Sequence, residues 1–193
     1  MSRLSWAGAA YTGAVAKRGY NRDTIRGGAS DWDVSRPFSS YLRTLGTLLV
    51  HPFRFFEVLP RVTDIRAPAL FLVFSGLPAG ISWLLFGGIY PALAALVVPL
   101  PLSFALAALY YLASTGGRYG YPVTWRTVAY PFGFYVPLSA VPGLRWVAGV
   151  YAGAVLLGIG LSTVRELGAV RAALTSAAVT GLLLGAAYAV AAR

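Results

Sequence analysis

Between positions 67 and 192 the chain runs as five apolar stretches, and its six charged residues there fall at the joints between them: Arg118, Arg126, Arg145, Arg165, Glu166 and Arg171. A bilayer imposes that separation, because a charge at its centre costs about 2.5–3.5 kcal/mol even on insertion-based scales. Composition agrees: 58% of residues are apolar, 11% are charged and mean hydropathy is +0.67. An ordinary soluble domain carries about 25% charged residues. The expected fold is all-α, a polytopic membrane bundle of five transmembrane helices.

The five spans are expected at 67–88, 91–114, 127–141, 145–163 and 168–192. A straight span needs about 20 apolar residues. The third is short and holds Pro131 and Pro137, so a kink, or a half-hairpin shared with the fourth across Val141-Pro142-Gly143, is expected. Pro78, Pro99 and Pro101 also fall inside spans. Such breaks are tolerated where neighbouring helices satisfy the freed carbonyls.

Counting basic residues orients the chain. Residues 1–66 hold ten of them, the turn at Gly87-Gly88 none, and the remainder alternate so that one side receives fourteen and the other two. The positive-inside rule then sets the N-terminus in the cytoplasm and the C-terminus outside. Arg3 with the triplet Ala14-Val15-Ala16 imitates a signal peptide. Ser5, Gly8, Tyr11, Thr12 and Gly13 interrupt its apolar region, so a cytoplasmic tail is the better reading.

Three segments follow. Residues 1–36 form an irregular basic tail with the breakers Gly27-Gly28. Its aromatics Trp6, Tyr11, Tyr20 and Trp32 would anchor it on a partner, or its arginines would touch anionic lipid head groups. Residues 37–66 carry two amphipathic helices. In the first, Phe38, Tyr41, Leu42, Leu45, Leu48 and Leu49 make one apolar stripe opposite Ser39, Ser40, Arg43, Thr44 and Thr47. The break at His51-Pro52 follows from the strained backbone before proline. The second helix sets Phe53, Phe55 and Phe56 beside Arg54 and Glu57. Both are expected in the head-group plane or packed on a protein surface, which the pattern alone does not separate. Arg54, Glu57, Arg61, Asp64 and Arg66 alternate in sign as an ion-paired collar or a docking surface. Residues 67–192 make the membrane domain.

Little here points to catalysis. The chain has no cysteine and a single histidine, His51, so a shared metal site is not expected. All acidic residues lie outside the spans, which removes the buried carboxylates of coupled carriers and intramembrane hydrolases. No phosphate loop or dinucleotide fingerprint occurs, and no cofactor is expected. The spans do carry glycines at four-residue spacing, Gly76 with Gly80, Gly149 with Gly153, and Gly181 with Gly185. Such pairs let membrane helices approach closely, either within the bundle or across a homo-oligomer face.

The order of features resembles the Yip (Ypt-interacting protein) domain family, especially its bacterial members. The matching text is LLVHPFRFFEVLP, PALFLVFSG, GGRYGYPVTWRTVAYPFGFYVPLSAVPGL, VYAGAVLLGIGLSTVREL and VRAALTSAAV, which together lie within residues 43–192. The resemblance implies five membrane helices, a cytoplasmic N-terminus and a bacterial inner-membrane location. It also implies a non-enzymatic adaptor or organiser acting through protein and lipid contacts. Eukaryotic members bind Rab-type GTPases. Asp31-Trp32-Asp33 departs from the acidic-aromatic motif associated with that role, so GTPase binding is not carried over. Two other readings stay open: an accessory subunit of a respiratory or photosynthetic complex, its tail packed on a neighbour, and a passive transporter or channel. The expected partners are anionic lipids on the cytoplasmic side and a membrane protein or second copy, not nucleic acid.

Overall fold

The computed structural model describes residue 32 and residues 36–61, 65–141 and 143–191. Among them there are helices and no strand. The helices are α1 (Pro37–Val50), α2 (Pro52–Val58), α3 (Arg66–Phe86), α4 (Ile89–Val97), α5 (Pro99–Ala113), α6 (Tyr121–Ser139), α7 (Leu144–Thr163) and α8 (Ala169–Ala191).

Proline and glycine set the boundaries. α1, α2 and α5 begin on Pro37, Pro52 and Pro99, where a missing N–H costs nothing because the first-turn donors have no helical partner. Pro99 also bends α4 against α5 by 53°, so the second expected span is a broken helix. Gly88 and Gly143 adopt φ of 92° and 85° in the turns before α4 and α7, a region that side chains with a Cβ avoid.

Three helices are long and apolar enough to cross a membrane: α3, α7 and residues Ala169–Ala189 of α8. The bent α4–α5 pair makes a fourth if it counts as one span. Their outward faces carry exposed Leu77, Ile81 and Leu85 on α3 and Leu174, Leu182 and Tyr188 on α8. An apolar exterior of this extent is what lipid, not water, solvates.

α6 differs from its expected form. It starts at Tyr121, six residues before the predicted boundary, and Arg126 lies inside it, only 2% exposed. The helix does not begin at the charge: Gly120 and Pro122 set its start, and the surrounding helices enclose the arginine. α6 is the central helix. Phe71, Tyr130, Phe134 and Leu156 share one core cluster, and Leu72, Trp125, Val128 and Leu161 another. Gly133 lets α3 press in, because a Cβ there would sit 2.6 Å from the Phe71 ring.

α7 contains a π-helical segment, Tyr151–Leu156. A wider turn disturbs the carbonyl ladder, and inside a bilayer each displaced carbonyl needs a partner. The Ser176 hydroxyl on α8 supplies one, donating to Ala154 O at 2.9 Å.

The face that α1 turns inward also departs from the expected stripe. Ser40, Tyr41, Thr44 and Leu48 are buried, while Phe38, Leu42 and Leu49 are more than half exposed. On a helical projection the buried face lies about a quarter turn from the apolar stripe. Half of that stripe therefore packs on the bundle and half faces out.

Candidate functional site: an arginine junction at one end of the bundle

Three segments far apart in sequence meet at one end of the bundle: the stretch after α2, the α5–α6 loop and the α7–α8 loop. Arg61 donates to the Glu166 carboxylate at 3.0 Å, to the Tyr119 hydroxyl at 3.1 Å and to Thr163 O at 3.2 Å. Arg118 donates to the other Glu166 oxygen at 2.9 Å. Its backbone N–H also bonds Arg165 O at 3.2 Å, so both loops are tied through main chain as well as charge. Glu166 holds a φ of 55°, unusual for a residue with a side chain. That conformation turns its carboxylate between the two guanidinium groups.

Beneath this pair lies Arg165, only 2% exposed. Its guanidinium donates to Ser114 Oγ and stands 5.0 Å from the centre of the Tyr111 ring. Burial lowers its pKa from the ordinary arginine value, with Tyr111 opposing, but an arginine keeps its charge throughout the physiological range. Gly117 lies close beside it: a Cβ there would be 2.6 Å from Arg165 Nε and would displace the guanidinium. Arg171 reaches back from the first turn of α8 to Thr115 Oγ1 at 3.3 Å. Four arginines thus gather at this end, two of them paired with one carboxylate. The excess positive charge can attract anions, and nothing in the junction resembles a nucleophile with its base.

Of the residues singled out from sequence, Arg61 belongs to this junction. Arg66 opens α3, and Arg43, Arg54 and Glu57 are exposed on α1 and α2. Trp32 is buried within the chain, its indole 5.3 Å from the Phe74 ring and 6.3 Å from Phe71. Trp6, Tyr11, Tyr20 and Asp64 lie outside the described residues. Glu166, Arg118, Tyr119 and Arg165 were not singled out as site residues. Their only sequence signal was a cluster of charges at loops predicted to share one side.

The glycine pairs divide. A Cβ on Gly76 would come within 2.8 Å of Ala95 O, and one on Gly80 within 3.3 Å of Leu96, so both face α4. Gly149 meets Leu184, and Gly153 is pressed against Thr180 on α8. Gly181 and Gly185 face open space.

Between α5, α6, α7 and α8 lies an apolar cavity of about 280 Å³, lined by Leu106, Val128, Phe132, Tyr135, Gly153 and Leu183 among others. In its wall the Tyr110 and Thr180 hydroxyls share a hydrogen bond of 3.1 Å. Among the described residues no group of His, Asp or Glu could hold a metal ion.

Fold and site together define a class: an all-helical protein with three to four helices able to span a membrane and a basic junction at one end. Comparison with protein-family models, with curated proteins and with solved structures gives no match.

Proposed function

We propose that the chain is a non-enzymatic integral membrane adaptor or organiser of the Yip type, with five spans and the arginine junction in the cytoplasm. The observation that carries this reading is the convergence of Arg61, Arg118, Arg165 and Arg171 at one end of the bundle. The loops that the positive-inside rule assigns to the cytoplasm are the ones tied together there. α6 is the fifth span. It falls short of the apolarity of the others because neighbouring helices, not lipid, surround it.

Such a junction is a rigid basic platform. Its charge excess suits anionic head groups and an acidic partner surface, and its cross-links hold three loops in fixed relation. The order of motifs between residues 43 and 192 supports the Yip-type reading. Purification in mild detergent, with cross-linking through residues 1–36, tests it. The adaptor reading expects a small particle with substoichiometric, exchangeable partners. Co-migration in fixed stoichiometry with a large respiratory or photosynthetic assembly would replace it with the accessory-subunit reading.

A further inference from the structure

Glu166 pairs with only two of the four junction arginines. Its oxygens are taken by Arg61 and Arg118, and among the described residues no carboxylate pairs with Arg165 or Arg171. These two arginines grip the same turn, residues 114–117, one from within the fold and one from outside. Arg165 is buried and donates to the Ser114 hydroxyl. Its Nε has no hydrogen-bond partner and is aimed at the turn, where a Cβ on Gly117 would lie 2.6 Å away. Arg171 is exposed and donates to Thr115 Oγ1 at 3.3 Å. A Cβ on Gly116 would lie 3.4 Å from its Nη1.

Each of these positive groups lacks what normally offsets it. A buried charge is costly unless an opposite charge and hydrogen bonds compensate it, and Arg165 has one neutral hydroxyl and the Tyr111 ring. Deprotonation offers no escape, because arginine stays charged. Arg171 stands in the first turn of α8, at the positive end of the helix dipole, where anions are favoured and cations are not. The first-turn N–H groups of a helix have no helical acceptors, and residues 168–171 are exposed. Three unlike sources of positive potential therefore converge on one exposed spot: a buried guanidinium, an open helix end and a first-turn arginine. Phosphate suits such a spot, since its several oxygens can take helix N–H and guanidinium donors together.

We propose that residues 114–117 and the first turn of α8 form a binding site for a phosphate group, carried by a lipid head group or free in solution. The α8 N–H groups and Arg171 contact its oxygens, while Arg165 holds the turn and supplies charge from beneath. The site rests on the reading of the junction as a basic platform and deepens it, giving that platform one preferred ligand chemistry and one place to hold it. Arg61 and Arg118 are not needed as direct contacts, because Glu166 already occupies them.

The test uses the full chain in mild detergent, with unfolding followed by tryptophan emission. A ligand that binds the folded state raises the midpoint as its concentration rises. Inorganic phosphate is compared with chloride at equal ionic strength, and monomeric dihexanoyl phosphatidylglycerol with dihexanoyl phosphatidylcholine. A rise with phosphate or with phosphatidylglycerol is expected, and each arm that responds names a source. Arg171→Gln is expected to weaken binding about tenfold, as loss of a charge-assisted pair does. Ala169→Pro is expected to weaken it several-fold, since proline is tolerated at a helix start but brings no N–H. Arg145→Gln, at the opposite end of α7, is expected to leave the response intact. No rise in either arm would overturn the site. A rise that Arg171→Gln or Ala169→Pro retains in full, or that Arg145→Gln loses equally, would overturn it in favour of general charge screening. Sizing the same samples keeps this result apart from the adaptor reading. Co-migration with a large assembly replaces that reading, and the phosphate response is still judged on its own.

Discussion

Glu166 and Arg61 show how much one side chain can organise when its partners come from distant loops. Arg61 reaches three acceptors or hydroxyls and is only 21% exposed, whereas Arg118 is 63% exposed and shares the same carboxylate. Hydrogen bonds to charged groups contribute about 1.5–3 kcal/mol when shielded, and exposed ion pairs typically under about 1 kcal/mol. Arg61→Ala is therefore expected to destabilise the fold by about 1–3 kcal/mol, and Arg118→Ala by less than about 1 kcal/mol. Thermal unfolding in detergent, followed by tryptophan emission, reads the difference. Equal losses from the two variants would show that Arg61's additional bonds to Tyr119 and Thr163 contribute nothing. Sequence could place these arginines on a common side but could not pair them. Arg61 and Glu166 lie 105 residues apart, and only the packing of helix ends decides which loops touch.

At the scale of helices, the small-residue spacing that reads identically in three places has three environments. Gly153 is pressed against Thr180, Gly76 against the α4 backbone, and Gly181 against nothing. Overpacking a tight interface costs about 1–3 kcal/mol, while exposed substitutions stay within about 0.5 kcal/mol. Gly153→Leu is thus expected to lower the unfolding midpoint clearly and Gly181→Leu to leave it almost unchanged. The same detergent melts report both, and a neutral Gly153→Leu would mean that α7 and α8 separate readily. Ser176 gives a second test in the same interface. Ser176→Ala leaves Ala154 O without its hydroxyl, and interhelical hydrogen bonds in membranes average about 0.6 kcal/mol, reaching about 1.7. A loss in that range is expected, measured by unfolding under the same conditions. Glycine spacing was legible in the sequence, but which face each pair takes was not, because periodicity fixes a stripe and not its direction. α1 is the sharper case. Phe38, Tyr41, Leu42, Leu45, Leu48 and Leu49 make an apolar stripe in sequence, yet Ser40 and Thr44 turn inward. In a membrane setting an apolar face has two suitable environments, protein and lipid, so hydrophobicity no longer says which way is in.

For the whole molecule, the separation of charge from apolar sequence carried most of the architecture. It points to an all-helical chain, and the helices long and apolar enough to cross a membrane are α3, α7 and α8, with the bent α4–α5 pair as a fourth if it counts as one span. It does not mark the start of α6, because Arg126 lies inside that helix and is buried. That separation holds for helices facing lipid and lapses for one enclosed by its neighbours. Whether α6 crosses the membrane decides the topology, because four crossings return the C-terminus to the side of the N-terminus and five do not. Its 19 residues rise about 28 Å, close to the thickness of a hydrocarbon core. The helix also connects the loop holding Arg118 to the turn before Gly143, and Gly143 lies across the bundle from the arginine junction because α7 runs from there to Thr163. Five crossings are therefore expected. A periplasm-active phosphatase fused after residue 193 should be active, and a fusion at residue 117 inactive. If the C-terminal fusion were silent while a cytoplasm-active fluorescent reporter at the same position lit up, α6 would not cross. The arginine junction could then no longer share the compartment that the positive-inside rule assigns to all three of its loops.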